Sequence, residues 1–222
     1  MKAQITVELI DSMGSDLSVV NSARVSFNKK SEWNPDWRDD HYEPLLEADS
    51  RLIKYLAKHK HLSPFNHTFV TFHVCAPVYV ARQLQKHEYM PWNEVSKRYV
   101  DETPELYEPE WRSRSVDKKQ GSGGPMEISL DSEMLYHATC RNALTTYDRM
   151  IEEGVAPEQA RSILPQNMMT QWYWSGTVGA VSKMCRLRCA SDTQAETRLV
   201  ADQISEKMSE LFPVSWEALT DA

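Results

Sequence analysis

Thr68-Phe69-Val70-Thr71-Phe72-His73-Val74-Cys75-Ala76-Pro77 decides the fold class. Val70, Phe72 and Val74 recur at every second residue through Thr68–Cys75, which places them on one face of a half-buried strand. Pro77 then suits the first turn of a helix, where its missing N–H has no partner to lose. That helix carries Arg82, Gln83, Lys86 and His87. A strand running straight into a helix calls for a mixed architecture.

Upstream lies a histidine-rich turn, His59-Lys60-His61-Leu62-Ser63-Pro64-Phe65-Asn66-His67. Before it, Asp49 opens a helix to about Lys58, with Leu52, Ile53 and Leu56 as its apolar stripe. Residues 28–47 read as a polar loop containing Trp33, Pro35, Trp37 and Pro44. Asp16 is placed to cap a helix through Leu17, Val20 and Arg24, and residues 2–10 alternate as a strand.

Downstream, residues 101–126 are loop-like. A long helix is expected over about 129–153, with Tyr136, Cys140, Ala143, Tyr147 and Met150 at helical spacing and Gly154 ending it. Pro157 begins a short helix through Arg161 to Leu164, and Met169–Ser175 is aromatic and strand-like. Val178–Leu187 and Thr193–Leu211 are helical; in the latter Val200, Ile204, Met208 and Leu211 face inward. Alternation and helical periodicity together predict an α+β fold.

Bulk properties narrow the class of function. The chain has 222 residues, 41% of them hydrophobic and 26% charged, which fits one domain over 1–222 with a real core. Mean hydropathy is −0.56, and no run approaches the roughly 18 apolar residues of a membrane span. The N-terminus, Met1-Lys2-Ala3-Gln4-Ile5-Thr6-Val7-Glu8, lacks an apolar signal region, so a cytoplasmic protein is expected, in a host's cytoplasm if the source is viral. A net charge of −7 argues against polymeric nucleic acid as a partner. It leaves room for a small anion, because clustered arginines dominate within a Debye length of about 8–10 Å. Cys75, Cys140, Cys185 and Cys189 form no CxxC pair and read as reduced thiols.

Some features could carry chemistry. His59, His61 and His67 offer imidazoles, yet no HExxH spacing or paired cysteines accompany them, so no metal site is assigned. Gly121-Ser122-Gly123-Gly124 lacks the strand-then-helix setting of a dinucleotide loop. It is either a surface loop or a phosphate-contacting one using Lys118 and Lys119. Val181, Met184, Cys185 and Arg188 share a helix face, and Arg161 sits among Ala160, Ile163 and Leu164. An arginine at the end of an apolar face must reach water or an anion, because burying it unpaired is costly. Asn93-Glu94-Val95-Ser96-Lys97-Arg98-Tyr99 packs an amide, a carboxylate, a hydroxyl, two cations and a phenol into one short stretch, the strongest local candidate for a site.

That stretch resembles the second half of a signature of the flavin-dependent thymidylate synthases, Arg-His-Arg-x-x-Ser-x-Asn-Glu-x-Ser-x-Arg-Tyr. In the first half, Lys86-His87-Glu88-Tyr89-Met90-Pro91, only His87 matches. The resemblance extends to Val7–Asp11, Met13-Gly14, Ala23–Phe27, His61–His67 with the strand and helix through Gln83, Ala160-Arg161, Leu164-Pro165 with Asn167, and Leu187-Arg188 with Gln194 and Glu196. It implies a small, mainly antiparallel sheet flanked by helices, assembled as a homotetramer with flavin and nucleotide bound between subunits. It also implies conversion of dUMP to dTMP, with methylenetetrahydrofolate as carbon donor, FAD as cofactor and NADPH as reductant.

Carried across by position, the resemblance implies nucleotide contacts from Gln83, Glu94, Ser96, Arg98, Arg161 and Arg188, with Lys97 contributing its backbone. Arg188, Ser96 and His61 fall at the reacting centre. Arg188 would stabilise charge developing on the pyrimidine, whereas Ser96 has no general base evident in sequence and is not favoured as a covalent nucleophile. Ser63, His87, Glu94 and Asn167 fall at or near the flavin and folate region. Departures cluster there too: Glu88, Pro91, Thr177, Gly179, Lys183 and Asp192 replace family residues, several of them cations. Lys86, Lys183 and the Lys118-Lys119-Gln120-Gly121 loop then become the expected sources of positive charge, the loop reaching phosphates in a neighbouring subunit. The alternatives are a pyrimidine nucleotide C5 hydroxymethylase and a nucleotide-binding homologue without turnover.

Overall fold

The computed structural model describes residues 3–35, 44–116 and 121–221. Trp37 of the 28–47 segment and Lys118, Lys119 and Gln120 of the Gly-rich loop lie outside the described residues. In chain order the elements begin with β1 (Thr6–Met13), α1 (Asp16–Arg24), α2 (Glu47–Lys58), β2 (Phe69–Pro77), α3 (Val78–Leu84) and β3 (Trp92–Glu94). A hairpin of β4 (Arg112–Arg114) and β5 (Ser122–Pro125) precedes α4 (Leu130–Glu152) and α5 (Pro157–Ala160). Then come β6 (Met169–Gly176), α6 (Val178–Arg188), α7 (Ala195–Leu211) and α8 (Pro213–Thr220).

The main sheet has the order β1-β2-β6-β3 with every pair antiparallel, which bears out the α+β expectation. Its alternation is that of the sequence. Val70, Phe72, Val74 and Ala76 are buried, while Thr71, His73 and Cys75 on the other face are half-exposed. The register sets Phe72 opposite Trp174 and Val74 opposite Trp172, so two buried indoles sit at the sheet centre. Trp92 of β3 stacks on Trp172 at 4.3 Å between ring centroids. Burying a side chain such as Phe72 stabilises the fold by roughly 1.5–3 kcal/mol. Val181, Met184 and Cys185 of α6 and Val200, Ile204 and Met208 of α7 join the same core.

Several expectations shift. The first strand covers Thr6–Met13, not 2–10, and α2 starts at Glu47, not Asp49. Pro77 ends β2 and is the residue before α3, not part of its first turn. Within 101–126 the β4–β5 hairpin appears, and beyond Leu211 the chain turns at Phe212 into α8.

Asp16 does not cap α1. Ser15 precedes that helix, and its N–H donates to Ser18 Oγ at 3.1 Å. The Asp16 carboxylate, only 4% exposed, instead accepts the N–H groups of Val214 and Ser215, both at 2.9 Å. It therefore satisfies first-turn donors of α8, a capping role played from the opposite end of the chain.

The start of α3 matters for the site. The N–H groups of Val78 and Tyr79 donate to the carbonyls of Met168 and Gln166 at 3.0 and 3.2 Å. Those bonds fix α3 against the segment entering β6, with Val80, Ala81 and Leu84 buried.

Candidate active site

Val78, Ala81, Arg82 and Gln85 lie at spacings that define one face of α3. They line a cavity of about 700 Å³. Glu94, Val95, Ser96 and Lys97, at and just beyond the end of β3, line it too. So do Glu158, Arg161 and Ser162, from α5 and the 3-10 turn Arg161–Ile163 that follows it.

Hydrogen bonds hold several of these residues. Glu94 accepts from Thr170 Oγ1 at 2.8 Å and from Trp92 Nε1 at 3.2 Å. Val95 extends the strand pairing through its N–H to the Gln171 carbonyl at 3.0 Å. Ser96 closes a turn: its carbonyl accepts from Tyr99 N at 3.0 Å and its hydroxyl from Arg98 N at 3.3 Å. Lys97 donates through Nζ to the Glu102 carbonyl. Burial lowers the Lys97 pKa, and the charges of Glu102 and Asp101 oppose that shift. Arg161 Nε donates to the Glu158 carbonyl at 3.2 Å. The cavity thus gathers the cations Arg82, Lys97 and Arg161, and guanidinium forks suit the oxygens of a phosphate. Arg98 is not among the lining residues, but its Nε lies 3.6 Å from the carboxylate of the lining residue Glu158, and its guanidinium lies over the Tyr99 ring at 5.4 Å.

The adjacent face of α3 builds a different environment. Arg188 Nε donates to His87 Nε2 at 2.9 Å, and Arg188 Nη2 donates to the Gln83 carbonyl at 3.4 Å. An arginine has only donors, so His87 Nε2 is the acceptor and the ring proton is on Nδ1. Burial, then the charges of Arg188 and Lys183, hold the His87 pKa down at about 4. Burial also lowers that of Arg188. Gln83 meets Gln194 and Thr197 of the α7 N-terminal region. Neither Gln83 nor Arg188 lines the cationic cavity.

The residues expected near the cofactor are spread more widely. His61 and Ser63 are exposed on the turn after α2, with the His61 ring 6.4 Å from those of Tyr55 and His59. Lys86 and Lys183 are exposed, and the charge of Lys183 reaches His87. Asn167 belongs to another cavity, about 800 Å³, shared with Tyr79, Trp111, Tyr136, Cys140 and Glu196. There its Nδ2 donates to the Tyr107 carbonyl at 2.9 Å and to the Tyr136 hydroxyl at 2.7 Å. Burial first, then Cys140, raises the Tyr136 pKa to about 12.

Two departures from the family pattern have a local explanation. Thr177 Oγ1 accepts from Ala180 N at 3.2 Å as the cap of α6, and it donates to Asn66 Oδ1 at 2.8 Å. A Cβ on Gly179 would lie 2.7 Å from that same Asn66 oxygen. The turn Ser63–His67 is thereby clasped to the start of α6, and the clasp occupies the space a side chain at 179 would need.

Sequence reasoning missed Arg82 as a cavity residue, and it treated Gln194 and Glu196 as motif matches without a task. Arg82 was visible at helical spacing from Val78 and Gln85, but which face met a cavity depended on packing against 166–168.

Three cations, from α3, the segment after β3 and the turn after α5, meet around one cavity, and an amide of α3, a neutral imidazole and an arginine of α6 meet beside it; such donor sets suit an anion and a polar heterocycle. The chain matches, over residues 8–214, the family described as "Thymidylate synthase complementing protein". It is 36% identical over 218 residues to a flavin-dependent thymidylate synthase of Thermus thermophilus, covering 97% of this chain and 75% of that one. It is 37% identical over 216 residues to the enzyme of that name from Thermotoga neapolitana, covering 96% and 89%. Its fold is similar to the UMP/dUMP methylase PolB from Streptomyces cacaoi bound with 5-Br dUMP, at TM-score 0.83 and 31% identity, covering 99% of this chain and 96% of that one. The chain belongs to the flavin-dependent thymidylate synthase family.

Proposed function

We infer that this protein converts dUMP to dTMP, with methylenetetrahydrofolate supplying the carbon, FAD as cofactor and NADPH as reductant. The observation that carries the reading is the cavity that brings Glu94, Ser96 and Arg161, three residues matched to the family, together with Lys97 and Arg82. Arg161, Arg82 and Lys97 hold the phosphate. Glu94, fixed by Thr170 and Trp92, and the Ser96 hydroxyl are placed for the sugar. Gln83 and Arg188 take the base.

The donor set near His87 fits a flavin. The imidazole is neutral and offers Nδ1–H, and Lys183 and Lys86 supply positive charge where the family has other residues. When bound, FAD supplies the reducing equivalents for methylation. The chain's own contribution is electrostatic and positional. Arg188, oriented by His87, keeps a fixed cation beside the pyrimidine where negative charge develops. Nothing in the site makes Ser96 a nucleophile: its hydroxyl accepts from a backbone N–H, and no histidine or carboxylate bonds to it among the described residues.

The phosphate half and the base half lie on different faces of α3. A second copy that brings its phosphate cavity to the base cluster of the first would complete each site, which supports assembly of more than one copy; the number four comes from the resemblance alone. The test is incubation of purified protein with dUMP, methylenetetrahydrofolate, NADPH and FAD, with the product identified by mass. The expected product is dTMP. A hydroxymethyl product, or dUMP bound and unconverted, would overturn this reading.

A further inference from the structure

A line of hydrogen bonds runs away from the base cluster and ends on a carboxylate. Thr197 Oγ1 donates to Gln83 Oε1 at 3.3 Å, and Gln83 Nε2 donates to Gln194 Oε1. Gln194 Nε2 then donates to Glu196 Oε2 at 2.9 Å. Glu196 is only 8% exposed and Thr197 is fully buried, while Gln83 and Gln194 are half-buried.

The direction of this chain follows from chemistry. A primary amide can turn over and exchange its donor and acceptor ends at little cost in shape. An ionised carboxylate cannot, because it only accepts. Glu196 therefore draws the NH2 end of Gln194, which turns the Gln194 oxygen toward Gln83. That oxygen draws the NH2 end of Gln83, leaving the Gln83 oxygen toward Thr197. One acceptor-only group at the end fixes the polarity of two otherwise reversible amides.

We propose that Glu196, acting through Gln194, is a positioning residue that sets the orientation of the Gln83 amide and thereby makes the site select uracil over cytosine nucleotides. The inference rests on the reading that Gln83 faces the base. An oriented amide offers its second N–H as donor and its second lone pair as acceptor. Uracil presents a carbonyl acceptor beside the N3–H donor and meets that pair without conflict. Cytosine presents an amino donor beside a bare N3 acceptor and needs the amide reversed. Against the Glu196 carboxylate, reversal would set Gln194 oxygen against carboxylate oxygen, or leave half-buried groups unpaired. Without that constraint the amide would turn to suit either base.

Equilibrium binding of dUMP and dCMP, by calorimetry on the intact protein with FAD present, tests this directly. The wild type is expected to prefer dUMP by about 100-fold or more, the scale on which unpaired buried polar groups reject a near-isosteric ligand. Glu196→Gln keeps the shape and can still accept from Gln194, but its amide can turn over, so the preference is expected to fall to about tenfold or less. Gln194→Leu cuts the chain in the middle and is expected to behave alike, which covers the case in which one variant folds poorly. Thr197→Val leaves Glu196 in control and is expected to keep the preference. Binding of dUMP by the wild type with unchanged selectivity in both Glu196→Gln and Gln194→Leu overturns the inference and leaves the proposed function standing. Failure of the wild type to bind dUMP overturns both.

Discussion

Changing His87 to Gln gives a direct test of the neutral imidazole beside Arg188. Gln can accept the Arg188 N–H through its carbonyl oxygen and cannot titrate. In the folded wild type the His87 pKa stands at about 4, against 6.5 for the free side chain. The unfolded chain therefore takes up this proton earlier as pH falls. The stability contribution is complete above about pH 6.5 and is lost progressively as pH drops toward 4. Between pH 7 and 4.5 a fully shielded ring of this pKa would cost the fold about 2.4 kcal/mol. The ring is half-buried, so solvent screening reduces this to about 1 kcal/mol. Urea melts of wild type and His87→Gln at pH 7, 5.5 and 4.5 read the difference, with other titrating groups common to both. The wild type is expected to lose about 1 kcal/mol more than the variant over that span. Parallel losses, or a steeper loss in the variant, would refute the neutral-acceptor assignment.

Three further outcomes are expected. Asp16→Ala strips one buried and one half-buried N–H group of α8 of their acceptor, so a stability loss of roughly 2–3 kcal/mol is expected in chemical denaturation. Gly179→Ala should destabilise the protein by about 1 kcal/mol in the wild-type background, where its Cβ meets Asn66, and stabilise it in an Asn66→Ala background, where only the helix propensity gain remains; two pairs of thermal melts decide the sign. Arg161→Ala and Arg188→Ala should each abolish turnover, and refolding them together should restore about a quarter of the sites by random assortment if the halves come from different copies; no recovery in the mixture would place both halves in one chain.

The sheet was legible where one face is buried. Val70, Phe72 and Val74 alternate cleanly and pair with the indoles of β6. The short edge strand Trp92–Glu94 was not, because three residues give no period and its pairing to β6 is long-range. Arg112–Arg114 has no apolar face to announce a strand. No helix was expected beyond Leu211, yet Pro213 opens one with a preset φ. The motif yielded Glu94, Ser96, Lys97 and Arg161, which do share a cavity. It could not say that Gln83 and Arg188 face elsewhere, since one residue of rotation about α3 separates Arg82 from Gln83. The partners of Gln83 are more than 100 residues away in sequence and carry no local signal.

The bonds from Asp16 to α8 have a consequence for synthesis on the ribosome. α1 is made early, yet the donors for its buried carboxylate arrive only with Val214 and Ser215. β1 waits in a similar way: Gln203 Oε1 accepts from Val7 N at 3.1 Å, and Gln203 Nε2 donates to the Ile5 carbonyl at 3.3 Å. At about 5–20 residues per second, the Asp16 carboxylate and the Val7 N–H wait on the order of ten seconds or more for these partners, although β2, which pairs with β1, is made much sooner. The native fold therefore closes after translation of its last helix, not in step with it.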